Sequence, residues 1–467
     1  MAASIGQKDV NQLRMLAGQV QKKQPKAVRD EIVGTIYEQS ETIAHAVTQQ
    51  AGKSRINWDD KLDAVLTSRV FGFPIMLLML GVVFWLTIAG ANVPSELLAT
   101  GLFWVEDRLT ELFHWFGAPL WLEGAVVHGL YRGCAWVVSV MLPPMAIFFP
   151  LFALLEDFGY LPRVAFNMDR LFHKAGGHGK QSLTMAMGFG CNAAGVIACR
   201  IIESPRERMI AILTNNFVPC NGRWPTLILM ATLFMAGAVG MGAGITAATV
   251  VVVGIVLFGI MTTLFVSWVL SKTLLRGIPS HFTLELPPYR KPQFGRTIIR
   301  SVYDKTWFVL KRALVTAAPA GLITWILANL HIGDQSVLGH IAGWLTPFGH
   351  AIGLDGYILM AFLLGLPANE IVVPILIMGY MASGMMIELD DMAALKQLFL
   401  QQGWTWLTAL NVMLFSLLHY PCGTTLYTIA KETKSTKWTV VAALLPLFIA
   451  IGICFITAQV VRYMGWV

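Results

Sequence analysis

Charged side chains are scarce: Asp, Glu, Lys and Arg make up 13% of the 467 residues, where a soluble domain carries about 25%. That scarcity excludes an ordinary soluble globular enzyme. Cysteine is sparse as well. Its 6 residues, Cys134, Cys191, Cys199, Cys220, Cys422 and Cys454, all lie in or beside apolar segments, a poor arrangement for a disulfide framework, so free thiols are expected. There is no C-x-x-C pair or His cluster of the structural-zinc kind. The phosphate loop G-x-x-x-x-G-K-[ST] is missing too, since GGHGKQS at 176–182 has its glycines and lysine at the wrong spacing. Nucleotide hydrolysis is therefore not expected from this chain, and neither are catalytic residues or a resident cofactor. The formal charge of +7 comes from 34 Lys and Arg against 27 Asp and Glu. These gather in a few hydrophilic stretches, not in a stripe that would bind nucleic acid. No cleavable signal peptide is visible ahead of the first apolar run, which begins near Val70.

What is present is a series of apolar runs, each about 20 residues and so long enough to cross a lipid bilayer, recurring from Arg69 to Val467. They predict an all-α polytopic membrane protein with about seven to nine transmembrane helices. Four regions are expected: a cytosolic helical preface at 1–66, a first membrane half at 67–270, a basic cytosolic loop at 271–312 and a second membrane half at 313–467. In the preface, Ala27–Gln49 and Trp58–Leu66 have helical apolar spacing. Ten Lys or Arg residues lie between Lys8 and Arg69, which places the N-terminus in the cytoplasm. The first span, about Val70–Ala91, then leads to an external loop carrying Glu96, Glu106, Asp107, Glu111 and Glu123 against Arg108 alone, and a return span runs to about Leu155.

The stretch Leu161–Lys180 is basic and hence cytosolic. If Gln181–Ile202 crossed fully, the basic loop Lys272–Arg312 would fall outside, against the positive-inside rule. A re-entrant hairpin there restores agreement, with Met209–Met235 going out and Gly240–Leu270 coming back. In the second half, a span at Ala313–Leu330 leads to His331–Asp355, which has no Lys or Arg and is expected outside. Gly356–Tyr380 is again apolar, yet the segment beyond it holds Glu388, Asp390 and Asp391 with only Lys396, so a second re-entrant element is expected. Trp404–Ile429 crosses inward and Val440–Val460 leaves again, which puts the C-terminus outside.

The two re-entrant segments match each other. Gly179, Gly188, Phe189, Gly190, Cys191 and Asn192 correspond to Gly356, Gly365, Leu366, Pro367, Ala368 and Asn369, with the glycines 9 apart and the Asn 13 after the first in both copies. Each copy is followed by a Pro-Cys pair, Pro219-Cys220 and Pro421-Cys422. Entered from opposite sides, this is the pattern of an inverted repeat whose interrupted helices meet near the midplane and build a substrate site. Every backbone N–H and C=O in hydrocarbon needs a partner, so helix breaks persist only where they line a cavity. Asn192 and Asn369 can satisfy freed backbone groups or present a side-chain oxygen to a cation. Cys191, Cys220 and Cys422 sit at the breaks, where thiols suit a borderline or soft divalent metal better than Mg²⁺ or Ca²⁺. Glu370 is a carboxylate in a membrane segment and by default functional. Glu156 and Asp157 belong to the cytosolic boundary, with Asp169, Arg163 and Arg170 as interfacial partners; Cys134, Cys199 and Cys454 are assigned to packing.

Five segments then carry a specific resemblance: EDFGYLPRVAFNMDR at 156–170, GFGCN at 188–192, PCNGRWP at 219–225, GLPANEIVV at 365–373 and YPCGTTLYTIAKET at 420–433. In this order and spacing they resemble the membrane domain of the bacterial ferrous-iron transporter B family, over roughly residues 56–460. The resemblance implies two gate modules and carriage of Fe²⁺ across the bacterial inner membrane. Cys191 and Cys220 of the first gate and Glu370 and Cys422 of the second are the implied pathway residues. Members of that family begin with a cytosolic GTPase, and the preface resembles the helical linker that follows it, so a separate GTPase subunit docking there is one expected partner and GTP-independent transport the other reading. This sequence departs in reading CNAAG where CNVPA is usual, and in placing Asn369 where Lys commonly precedes the Glu. Two rival functions share the pattern: a nucleoside-type carrier with the same gates, and a non-transporting membrane anchor for a soluble GTPase. Beyond the lipid bilayer and the metal ion, the sequence leaves a homo-oligomer open and does not separate Fe²⁺ from Mn²⁺.

Overall fold

The computed structural model describes residues 25–47, 58–68, 70–235, 244–277, 289–290, 293–386 and 392–466. Glu388, Asp390 and Asp391, invoked above for the second re-entrant element, and most of the basic residues ahead of the first span lie outside the described residues. Contacts divide the chain into two compact units, Met1–Lys61 and Leu62–Val467. The first contains the helix Pro25–Val47, where helical spacing predicts one, and the helix Trp58–Leu66 straddles the division.

The second unit is helical apart from a two-residue strand pair, His331–Ile332 with Gln335–Ser336, among its described residues. The all-α polytopic class therefore holds. Five helices are long and apolar enough to cross a bilayer: Gly72–Trp115, Leu120–Asp157, Ala248–Lys272, Phe294–Asn329 and Thr436–Tyr463. A sixth span results if Val337–Ala351 and Gly356–Leu364, bent by 112°, are taken as one. The remaining apolar sequence, expected to bring the number to seven to nine, is cut into short helices, among them Asn192–Ile201, Trp224–Met235 and Asn369–Met381.

The first span is much longer than its apolar run suggests. Gly72–Trp115 has 44 residues, about 66 Å at 1.5 Å per residue, roughly twice the thickness of a hydrocarbon core. Glu96, Glu106, Asp107 and Glu111 are part of this helix and not of an external loop, and Glu123 closes the first turn of the next helix. The physical reason lies in the partners. Glu106 is buried because His128 Nδ1 stands 2.8 Å from its Oε1 and Arg132 donates to the same oxygen at 2.9 Å, so an acidic residue that reads as solvent-facing is taken up by the neighbouring helix.

Burial is inverted relative to a soluble protein. Trp85, Val250, Phe265, Phe448 and Ile456 are exposed, while Arg163 and Arg223 are fully buried, as expected when the outer solvent is lipid and polar groups turn inward. Helices 120–157 and 294–329 approach closely through small residues: a Cβ on Gly133 would lie 3.0 Å from the Gly321 Cα, a contact typical of membrane helix pairs. On the helix Tyr160–Lys174, ahead of the first re-entrant segment, Arg163 makes a bidentate pair with Asp63, its Nε and one Nη donating at 2.9 and 3.0 Å. Its carboxylate partner is thus Asp63 on the helix Trp58–Leu66, 100 positions earlier. Tyr289 donates to the same carboxylate at 2.7 Å, with its ring 4.1 Å from the guanidinium. The bond from Arg163 holds the Asp63 carboxyl below the usual aspartate range.

Candidate functional site

The repeat seen in spacing is also a repeat in backbone geometry. The helix Gln181–Gly190 breaks at Cys191 (φ −154°, ψ 123°) and resumes at Asn192. In the second half, Gly356–Leu364 gives way to a short loop in which Ala368 has φ −150° and ψ 119°, and the chain coils again from Asn369. Cys191 and Ala368, matched by sequence, thus adopt the same extended conformation. The Pro-Cys pairs mark a second kind of break. Pro205–Thr214 ends in a tight turn over Asn215–Phe217 before Pro219-Cys220, and Trp406–Leu418 ends before Pro421-Cys422, with Gly423–Thr433 following. Trp404–Ile429, expected as one crossing, is therefore two helices, because proline has no N–H to continue the ladder.

The two kinds of break are tied within each repeat. The N–H of Asn221, just after Cys220, donates to the Gly190 carbonyl at 3.2 Å, and the N–H of Gly423, just after Cys422, donates to the Leu366 carbonyl at 2.7 Å. Carbonyls orphaned where one helix stops are thus satisfied by the turn of the other, the bookkeeping that hydrocarbon demands. The glycines of GFGCN give room for this. A Cβ on Gly188 would overlap the Asn215 amide, and one on Gly190 the Phe148 ring. Asn215 in turn donates to the Asn192 carbonyl at 3.1 Å, bridging the break.

All six residues singled out from sequence line one cavity of about 20 Å³: Cys191, Asn192 and Cys220 from the first repeat, Asn369, Glu370 and Cys422 from the second. Cys191 and Cys220 are buried; Cys422 and Glu370 are half-buried. The Asn192 and Asn369 side-chain oxygens are both buried without a hydrogen-bond partner. An orphaned amide oxygen is costly, and here the two belong to residues at matched positions that line the same cavity. Glu370 crosses to the other repeat: its carboxylate occupies the place where a Cβ on Gly222 would stand. In this conformation no group of three or more His, Cys, Asp or Glu among the described residues is arranged to hold a metal ion. The thiols and the carboxylate line the cavity without closing on one point.

Several neighbours were not legible as site residues. Met141 and Met145 from the helix Leu120–Asp157 add thioethers to the cavity wall, and Gly222 is the seat of Glu370. Arg223 is 0% exposed and has no carboxylate partner among the described residues; its donors go to carbonyl oxygens of both repeats. An arginine inside an apolar segment, within the quoted PCNGRWP, was the signal that could have found it. Cys199 and Cys454 are buried away from the cavity, with Sγ donating to the Gly195 and Asn411 carbonyls, and Cys134 is half-buried elsewhere. All six cysteines are free.

Broken helices in two matched repeats around a small cavity define a class, the polytopic membrane transporter with paired gate modules. A family model described as "Gate: Nucleoside recognition" matches residues 138–234 and 310–436, and one described as "Ferrous iron transport protein B C terminus" matches 252–305. The chain is 29% identical over 475 residues to a protein of Staphylococcus aureus strain MSSA476 named Fe(2+) transporter FeoB, covering 98% of this chain and 68% of that one. Proteins of the same name from Synechocystis and Campylobacter jejuni are 27% and 26% identical, over 91% and 88% of this chain and 67% and 66% of theirs. No solved structure matches it. These matches are consistent with the membrane part of a ferrous-iron transporter B protein.

Proposed function

We propose that this chain carries Fe²⁺ across the bacterial inner membrane through the cavity between its two gate repeats. In this reading Cys191, Cys220 and Cys422 are soft donors, Glu370 is the acidic ligand, and Asn192 and Asn369 contribute oxygen while organising the broken backbone. The observation that carries the proposal is the convergence of these six residues, drawn from segments about 200 residues apart, on one cavity with two unpartnered amide oxygens. Its volume of about 20 Å³ suits one water-sized body. That fits a largely dehydrated ion and is far below the several hundred Å³ typical of a site for an organic molecule the size of a nucleoside. Relatives named Fe(2+) transporter FeoB, matched over 98% and 91% of this chain, favour iron over the nucleoside and anchor readings.

Donors that line the path without enclosing it agree with transport, because an ion held too firmly cannot leave. The ten Lys and Arg residues ahead of the first span support a cytoplasmic N-terminus, with residues 1–66 as the docking region for a GTPase partner. A Porphyromonas gingivalis relative is named as a fusion of Fe(2+) transport protein A with FeoB, which supports a protein partner. The test is anaerobic binding of Fe²⁺ to the purified chain in detergent. One ion per chain is expected, with affinity lowered at least about tenfold in Cys191→Ser and in Glu370→Gln, the loss of one good ligand interaction. Unchanged affinity in both folded variants would remove the ligand assignment.

A further inference from the structure

We infer that Arg223 is the positioning residue that clasps the two gate repeats together, and that because only one repeat carries such an arginine among the described residues it favours the arrangement seen here over one in which the repeats part. Its guanidinium donates from one Nη to the Asn216 carbonyl at 2.7 Å and to the Leu417 carbonyl at 2.8 Å. The other Nη donates to Asn216 Oδ1 at 3.0 Å and to the His419 and Tyr420 carbonyls, each at 3.3 Å. Asn216 belongs to the first repeat; Leu417 is in the last turn of the helix Trp406–Leu418 of the second, and His419 and Tyr420 follow its end. Asn216 reinforces the link by donating from Nδ2 to the His419 carbonyl at 2.6 Å, and it accepts at Oδ1 from Asn192 Nδ2 at 3.4 Å, which ties the clasp directly to the cavity wall.

The sequence explains why a cation is needed at this point. The Leu417 carbonyl would find its helical partner at residue 421, which is Pro421 and has no N–H. The end of that helix therefore presents orphaned carbonyls and the negative pole of its dipole inside the protein. A planar guanidinium with five donors can serve several of them at once, whereas a lysine, a point charge with three donors, cannot.

The asymmetry gives the clasp its consequence. Arg223 follows Cys220 by three positions; three after Cys422 stands Thr425, which hydrogen-bonds Cys422 itself at 3.2 Å. Inverted repeats work by moving one half against the other around a shared site, and an inter-repeat bond set whose arginine comes from only one half makes the resulting states unequal in energy. Cys220 and Cys422, native thiols on the cavity wall beside the clasp, can report that opening without an introduced cysteine.

The experiment is alkylation of the purified full chain with a small water-soluble maleimide, with the labelled fraction at Cys220 and Cys422 read by peptide mass spectrometry. Arg223→Lys and Arg223→Gln are expected to raise the labelling rate at both thiols about tenfold, the population shift that loss of one charge-assisted hydrogen bond permits, while Cys454, buried on another helix, keeps its rate. A rise at Cys454 as well would mean general unfolding and would overturn the clasp as a specific device, and so would unchanged rates in both variants with a wild-type elution profile. The readout needs no metal, so it stands apart from the Fe²⁺ assignment: Glu370→Gln is expected to change Fe²⁺ affinity and leave Arg223's bonds in place.

Discussion

Gly222→Ala isolates the contact between the two repeats with one methyl group. Gly222 lies in the turn after Cys220, and its backbone is not in the left-handed region, so alanine meets no conformational penalty there. What it meets is Glu370: the new Cβ would fall 2.5 Å from the carboxyl carbon and overlap one of its oxygens. Ordinary contact begins near 3.4 Å, so the carboxylate must retreat by about 1 Å, a displacement that costs about 10²-fold where a reacting or ligating group is involved. The accompanying overpacking is worth about 1–3 kcal/mol. The assay is the initial rate of anaerobic ⁵⁵Fe²⁺ uptake into liposomes, beside Gly452→Ala, where nothing lies within 4 Å of the added carbon. Uptake falling tenfold to a hundredfold in Gly222→Ala, no change in Gly452→Ala, and no further loss when Gly222→Ala is combined with Glu370→Gln are expected. Wild-type uptake by Gly222→Ala would refute the claim that Glu370 must sit where it does.

Gly321→Ala pushes helix 294–329 away from the Gly129 carbonyl, which the new Cβ would overlap; thermal unfolding in detergent is expected to show a loss of about 1–3 kcal/mol with Fe²⁺ affinity retained. Cys199→Ser, buried against the Gly195 carbonyl and away from the cavity, is expected to leave Fe²⁺ affinity within about twofold, in contrast to Cys191→Ser, by equilibrium binding. Because the Asp63 carboxyl is held low by Arg163, the junction's contribution is fully present above the ordinary aspartate value of about 3.9 and is lost as the pH falls through the lowered native value. Limited proteolysis around residues 58–68 is expected to accelerate in wild type only in that acid range, and in Asp63→Asn already at pH 7.

The gates were the most legible part of the molecule, and the reason is local. A helix break inside the membrane region demands Gly and a small polar residue at fixed places, and GFGCN and GLPAN repeat them at equal spacing. Cys191 and Ala368 accordingly share a backbone conformation to within a few degrees. The preface helix Trp58–Leu66 was also readable from its periodicity. What the sequence hid depends on pairing between distant segments. The extension of the first span to Trp115 could not be seen, because Glu106 reads as solvent-facing until His128 and Arg132 are found beside it. Arg163 looked like a boundary residue until Asp63, 100 positions earlier, appeared as its partner. Arg223 lay inside a quoted motif, but its role is written in the carbonyls of Leu417, His419 and Tyr420, about 200 residues away, which only the fold brings near. Glu370 was identified by its cost in a membrane, and the seat that Gly222 leaves for it was not.

The central claim is that Fe²⁺ passes through the cavity between the repeats. It is tested most directly by anaerobic flux into liposomes that contain only this chain, with Fe²⁺ and a nucleoside offered in parallel, in wild type, Cys191→Ser and Glu370→Gln. Fe²⁺ flux that both variants lose, with no nucleoside flux in any of the three, is the predicted result. Nucleoside flux in wild type, or Fe²⁺ flux that survives both substitutions in folded protein, would contradict it.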